Sequence, residues 1–326
     1  MRAWRNKTNV RIRPHYKTHK CPSLAELTLR QTPTPTCPFP GGGADGICVQ
    51  TLDELASLTQ AINEGWGDTW TEDNHGVVDI LLTNTVIGPL KISRFLDIVN
   101  SSVGRASISL LVDDLPNLVA LKSTTSSFGV FVEVNVGQNR GGVTPTPDNL
   151  PLILSLALSA GDAYRGLHCY HGLLQHVNSR SSRASQVLST SVSLALLVSG
   201  YLSSNGVRSP IITGGGTGTY HIEVSRGCAH NEVQPGSFLL GDTEYGDVEK
   251  FPGEPTFEHA LWVNAGVCST AAGGGGGHAV VDAGSKAVDL ASGNPSVAVG
   301  GKRMGFSGER DSGVGYKSGG DDHGVL

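Results

Sequence analysis

Between Val10 and Leu240 short apolar runs alternate with longer amphipathic stretches, and this rhythm constrains the fold more than any single motif does. Strand candidates are Val10–Lys20, Ile47–Gln50, Val77–Thr83, Ser107–Asp113, Gly129–Val136, Gly166–Tyr170, Pro210–Thr213 and Val233–Leu240. Helix candidates fall between most of them, at Ser23–Gln31, Leu52–Glu64, Pro89–Val99, Leu115–Ser123, Asn149–Ser159 and Ala184–Ser203. Strands separated by helices read as βαβ units on a parallel sheet. Eight strands fit a closed (β/α)8 TIM-type barrel better than an open doubly wound sheet, which is the fallback. After Gly241 the rhythm gives way to short β-like pieces between glycines, such as Ala260–Val267 and His278–Val281. The expectation is a barrel over residues 1–245 and an incomplete C-terminal β domain over 246–326. Thr32–Ala44 (TPTPTCPFPGGGA) and Ala271–His278 (AAGGGGGH) are too rich in Pro and Gly for regular structure and read as insertions.

The first strand candidate has a basic face. Alternation along VRIRPHYKTHK sets Arg11, Arg13, His15 and Lys17 on one side and Val10, Ile12, Pro14 and Tyr16 on the other. A solvated edge strand or a nucleic-acid-facing surface would look like this. So would a barrel strand whose inner face meets an anionic cofactor, with a lysine at its C-terminal end where barrel active sites lie. Composition bears on the choice: a net charge of -5 makes the basic strand a local feature and argues against nucleic-acid or anionic-membrane binding. Lys17 is the candidate nucleophile, because Arg13, His15, His19 and Lys20 would crowd its amine with positive charge and lower its pKa.

The cell compartment is read from cysteines and apolar runs. Six cysteines without a C-x-x-C pair, and no apolar leader, point to a reduced, cytoplasmic protein. Met1–Asn9 is short and basic and is read as the late start of the chain. The longest nearly apolar run, Val192–Leu202, is too short to span a bilayer.

Three further stretches could carry chemistry. TGGGTGTY (Thr213–Tyr220) follows a short β run, and its glycines leave backbone N–H groups to cradle a phosphate; the plain alternative is a Gly-rich turn. GLHCYHGLLQH (Gly166–His176) could set His168, His171 and His176 on a metal, but the spacing matches no zinc pattern, which favours acid–base or cofactor-stacking roles. VNVGQNRGGV (Val134–Val143) ends a strand in a polar turn whose Arg140 is either structural or a ligand contact at the same mouth as Lys17.

Taken with DILLTN (Asp79–Asn84), VDDLPNL (Val112–Leu118), EVQPGSF (Glu232–Phe238), VVDAGSKA (Val280–Ala287) and DDHGVL (Asp321–Leu326), these stretches run in order almost end to end. In this the chain resembles the D-threonine aldolase and D-serine dehydratase group of pyridoxal-phosphate enzymes, which share the alanine-racemase type of barrel (fold type III). The resemblance implies pyridoxal 5'-phosphate carried covalently on Lys17, with Lys20 the less favoured lysine. It implies Arg140 beside the ring oxygen, Tyr170 helping to hold the cofactor, and Gly215, Gly216 and Thr217 cradling the phosphate. His171 matches the histidine that handles the β-hydroxyl proton in aldolase members.

The implied activity is a lyase acting on D-3-hydroxy amino acids, by retro-aldol cleavage of D-threonine-like substrates to glycine and an aldehyde. D-Serine dehydration to pyruvate and ammonia is the alternative. A catalytically inactive cofactor-binding homologue and an unrelated phosphate-binding barrel are the rivals from other classes. The family also implies a homodimer and a divalent metal, Zn or Mn, held by an H-x-C or H-x-D pair. Here that pair would lie beyond Leu326, just as the family's leading β segment would precede Met1, so the chain is expected to be truncated at both ends and to hold no metal ligands itself.

Overall fold

The computed structural model describes residues 10–30, 43–66, 76–123, 127–241, 243–250, 254–270, 277–291, 293–299, 302–303 and 314–326. Met1–Asn9 and most of the insertions at Thr32–Ala44 and Ala271–His278 lie outside the described residues. The chain forms two compact units. One comprises Met1–Leu239 with Asp247–Thr256, the other Leu240–Gly246 with Phe257–Leu326.

The first unit is built on eight parallel strands: β1 (Arg11–Ile12), β2 (Ile47–Val49), β3 (Val78–Leu82), β4 (Ala106–Val112), β5 (Gly129–Glu133), β6 (Tyr164–His168), β7 (Ile211–Gly214) and β8 (Glu232–Val233). Their order is β1-β8-β7-β6-β5-β4-β3-β2. Arg11 and Ile12 pair with β8, and three residues later His15 bridges in parallel to Cys48 of β2, which closes the sheet into a ring. The sequence predicted a first strand running through Lys20. In the structure a 3-10 turn at Tyr16–Thr18 ends it at the rim.

Helices α1 (Pro22–Leu29), α2 (Leu52–Asn63), α3 (Pro89–Ser101), α4 (Leu115–Lys122) and α5 (Leu150–Ala160) cover the outside. Their starts are local chemistry. Thr51 and Asp114 cap α2 and α4 by accepting the amides of Glu54 and Asn117 at 3.1 and 2.9 Å, and Pro22 and Pro89 take first-turn positions that lack an N–H partner in any helix. A continuous helical run follows from Arg180 to Ser204: α6 (Arg180–Val187), a π turn at Leu188–Val192, and α7 (Ser193–Ser204). The run is longer than the apolar core the sequence marks at Val192–Leu202, and by length and composition alone it could cross a membrane. Here Ala195, Val198 and Leu202 join the main barrel core.

The period-2 alternation of the strands sorts the core into two layers. Ile47, Val49, Ile80, Leu82, Leu110, Val112, Val130 and Val132 face the helices in one large cluster, while Cys48, Leu81, Leu111 and Phe131 form a separate cluster inside the ring. The basic face of β1 also points inward, but not toward a ligand. Arg13 is fully buried and bound to Glu232 (2.8 and 3.0 Å) and Asp79 (2.7 Å); Arg11 reaches the same two carboxylates at 2.9 and 3.1 Å. Gly46 is needed there, since a Cβ would lie 2.6 Å from the Asp79 carbonyl and 2.7 Å from the Arg13 guanidinium.

In the second unit, β9 (Val267–Thr270), β10 (Ala279–Val281), β13 (Lys317–Ser318) and β14 (Gly324–Val325) make an antiparallel sheet in the order β13-β14-β10-β9, and β11 (Ala298–Val299) pairs with β12 (Lys302–Arg303). The strand expected over Ala260–Val267 does not form: only the chain from Val267 onward finds a ladder, on β10, and backbone without a partner cannot join a sheet. Tyr316 packs with Val281 and Ala283 and donates its hydroxyl to the Ala283 carbonyl at 2.8 Å.

Candidate active site

The inward residues one repeat above the buried layer turn polar, and all stand at the C-terminal ends of their strands. Two residues beyond Cys48, Leu81, Leu111 and Phe131 come Gln50, Thr83, Asp113 and Glu133. Together with Asn84, Thr85, Arg140 and Gly141 they line a cavity of about 290 Å³. This is the end at which barrel enzymes place their chemistry.

Lys17 stands on the 3-10 turn at this rim. His15 caps the turn: its Nδ1 accepts the Lys17 amide at 3.3 Å, so the proton is assigned to Nε2, which lies 3.1 Å from Thr83 Oγ1. Burial, and next the charge of Lys17, hold His15 well below the ordinary histidine pKa, so it is neutral. The Lys17 side chain keeps solvent access, yet the protein around its amine, followed by the Arg140 charge, lowers its pKa. The cations expected to act on Lys17 from its own strand are therefore spent or silent. Arg13 is neutralised by Glu232 and Asp79, His15 carries no charge, and burial lowers the pKa of His19 as well. Lys20 turns away toward Glu54, 3.9 Å distant.

Arg140 is presented by a rigid loop. A parallel bridge between Val134 and Val143 closes its neck, and the Asn135 side chain accepts the amides of Gly137 (3.1 Å) and Asn139 (3.0 Å) while donating to Asn139 and Thr144. The guanidinium sits 5.9 Å above the centre of the Tyr170 ring, which stacks on His168. Burial, with the Glu223 charge next, raises the Tyr170 phenol to about 12.

The TGGGTGTY turn lies beside Tyr170. Gly215 has φ +70, and a Cβ there would meet Glu223 Oε2 at 2.6 Å; at Gly216 it would lie 2.6 Å from Gln175 Oε1 and 3.1 Å from the Tyr170 hydroxyl. Gln175 spans the turn, accepting the Gly218 amide at 2.8 Å and donating to Thr219 Oγ1 at 2.7 Å. Among the described residues the amides of Gly215, Gly216 and Thr217 have no hydrogen-bond acceptor, and the buried Thr217 hydroxyl has no partner. Donors left open on a buried turn suit an anion.

Lys17, Arg140, Tyr170 and the glycine turn thus share one mouth. His171 lies at the same end, but its imidazole edge packs against Gly137, near Thr190, where burial lowers its pKa against the pull of Glu223. His168 points into the barrel and is held neutral at about 3, by burial and then by Arg140. Since His168 and His171 face different ways, the three-histidine arrangement considered for a metal does not form; among the described residues no group of three or more His, Cys, Asp or Glu is placed to hold a metal ion.

The same architecture and sequence recur in known enzymes. The chain is 32% identical over 334 residues to a D-threonine aldolase of Arthrobacter sp, an alignment covering all of this chain and 75% of the relative. It belongs to the D-threonine aldolase family. A second family relative, the 3-hydroxy-D-aspartate aldolase of Paracoccus denitrificans (strain Pd 1222), is 28% identical over 97% of this chain and 73% of its own. The crystal structure of the D-threonine aldolase from Filomicrobium marinum superposes with a TM-score of 0.77 at 29% identity, covering 99% of this chain and 76% of that one. An alanine racemase of Clostridium difficile shares the fold at a TM-score of 0.60 and 17% identity. No family model matches the chain.

Sequence reasoning did not single out Gln50, Thr83, Asp113 and Glu133 as mouth residues. Their signal was available: each stands two positions beyond an inward apolar residue, where the alternation passes from the buried layer to the rim. Gln175 and Glu223, which brace the glycine turn from 41 and 8 positions away, carry no such mark.

Proposed function

We propose that this chain is a lyase that cleaves D-3-hydroxy amino acids between Cα and Cβ, releasing glycine and an aldehyde, with pyridoxal 5'-phosphate as its cofactor. The observation that carries the reading is a lysine of lowered pKa at the barrel mouth, sharing that mouth with Arg140 and with a glycine turn whose amides are open. The kinship with aldolases on both D-threonine and 3-hydroxy-D-aspartate supports the bond that is broken.

The residues present fit the cofactor. The orphaned Thr217 hydroxyl and the open amides of Gly215 and Gly216 would hold its phosphate, Lys17 its aldehyde carbon, and Arg140 its ring oxygen, with Tyr170 alongside. When bound, the cofactor supplies an electron sink for the pair left on Cα. The lowered pKa of Lys17 enlarges the neutral, nucleophilic fraction of its amine near pH 7. Tyr170, raised to about 12, keeps its proton and acts as a donor.

His171, neutral near pH 7 because burial lowers its pKa, is assigned the proton of the β-hydroxyl. As that proton leaves, the Cα–Cβ bond breaks, the aldehyde departs and Cα takes up a proton to become glycine.

Two experiments test this. Borohydride reduction after loading with pyridoxal phosphate, followed by peptide mapping, should place the pyridoxyl group on Lys17; an adduct on Lys20, or none, defeats the assignment. The loaded chain should release glycine and acetaldehyde from D-threonine, and His171→Ala should suppress turnover while the cofactor absorbance stays. Pyruvate and ammonia from D-serine, with no glycine from D-threonine, would select dehydration instead.

A further inference from the structure

The cavity at the mouth holds two carboxylates and one guanidinium. Glu133, the last residue of β5, is 9% exposed. Around it stand neutral Gln50, Thr83 and Asn84 from the ends of β2 and β3, Asp113 from the end of β4, Arg140 from its own loop and His168 from β6. His168, 2% exposed, directs Nδ1 at Glu133 Oε1 from 3.8 Å, and neither ring nitrogen has a hydrogen-bond partner among the described residues. Because His168 is neutral, it offers no counter-charge. Both carboxylates seat the turn that carries Arg140. Asp113 accepts the Gly142 amide at 3.0 Å, and Gly141 packs so tightly on Glu133 that a Cβ would lie 3.0 Å from Oε2.

One guanidinium cannot neutralise two carboxylates and a bound anion as well. Glu133 is raised to about 7, first by burial and next by the Asp113 charge, against the opposing pull of Arg140. An anion at Arg140 removes that pull and adds a like charge, and both effects increase the proton affinity of Glu133.

We propose that Glu133 is a proton-binding site of the mouth, which takes a proton from solvent when an anionic group occupies Arg140, so that cofactor binding is coupled to proton uptake. This rests on the reading that the cofactor's ring oxygen lies at Arg140. A buffer acid or hydronium loses the proton, its bond to it breaking as an O–H bond forms on Glu133, so the cavity keeps one negative charge fewer than it would with both acids ionised.

The test is calorimetric titration of pyridoxal phosphate into the chain between pH 7 and 8, in buffers of different ionisation heat, to count protons taken up per site. The wild-type chain should take up about half a proton or more beyond Glu133→Gln, as follows from a pKa displacement of about one to two units by a neighbouring charge. Whatever proton Lys17 releases on forming its adduct is common to both proteins and cancels. Asp113→Asn lowers the repulsion on Glu133 and should shrink the excess. Equal counts in the wild type and Glu133→Gln, with the Lys17 adduct present in both, overturn the inference while leaving the proposed function standing. Absence of a Lys17 adduct in the wild type overturns the proposed function and this inference with it. Should Glu133→Gln not fold, an unchanged count in Asp113→Asn is the overturning result.

Discussion

Replacing Glu232 by Gln removes the charge that compensates the most deeply buried cation of the barrel while keeping side-chain size. Glu232 accepts from Arg13 at 2.8 and 3.0 Å and from Arg11 at 2.9 Å, and neither the Arg13 side chain nor its own is exposed. Breaking a buried ion pair by removing one partner costs about 3–5 kcal/mol. Arg13 would still have Asp79 at 2.7 Å, whose side chain is 29% exposed, so the loss belongs at the low end, about 3 kcal/mol. At about 2 °C per kcal/mol for a domain of this size, the melting temperature should fall by about 6 °C. The pH dependence has a definite sign. Burial would raise the Glu232 pKa, but Arg13 and Arg11 outweigh it and the folded value is lowered. Its contribution is therefore complete above the unfolded carboxylate value of ~4.3 and is lost as pH falls through the lower folded value. Melting curves of the wild type and Glu232→Gln should differ fully at pH 7 and converge only on acidification below about 4. A double variant, Arg13→Met with Glu232→Leu, should recover much of the loss because no buried charge is stranded. Equal melting of the wild type and Glu232→Gln at pH 7 would refute the account of the basic strand as a buried ion cluster.

Three other outcomes are expected. Gly216→Ala pushes a methyl into the Gln175 amide, which the Gly218 amide and Thr219 hold in place; at about 1.4 kcal/mol per decade, loss of one such bond should weaken pyridoxal-phosphate retention about tenfold in equilibrium dialysis. Limiting acylation at pH 8, read by mass spectrometry, should modify Lys17 ahead of surface lysines, and Arg140→Gln should slow it by letting the Lys17 pKa rise. His15→Ala should cost about 1 kcal/mol through loss of the turn cap and alter Lys17 labelling, whereas His15→Asn, which keeps an acceptor, should retain most of both; identical behaviour of the two variants would rule out capping.

Much of this protein is local, and local chemistry is legible along a single strand. The strands carrying Cys48, Leu81, Leu111 and Phe131 were legible as short apolar runs, and the strand period sets those residues on the faces that fill the ring. Helices were expected from Leu52 and Leu115, where Thr51 and Asp114 cap them, and the glycines of TGGGTGTY marked the turn whose amides stand open. Such features depend on residues a few positions apart, whose relative direction is set by the backbone period itself. The charge state of the mouth is another matter. Whether Arg13 serves a ligand or a carboxylate depends on Glu232, 219 positions away and brought beside it only when β1 pairs with β8. In the same way Lys17 is tuned by Arg140 from the far side of the ring, His171 comes to rest against Gly137, and Glu133 is raised by burial and by the charge of Asp113. Side-chain phase belongs to each strand alone. Electrostatic partnership acts through space over a few ångströms, so it was decided by which strand ends the closed barrel brought together.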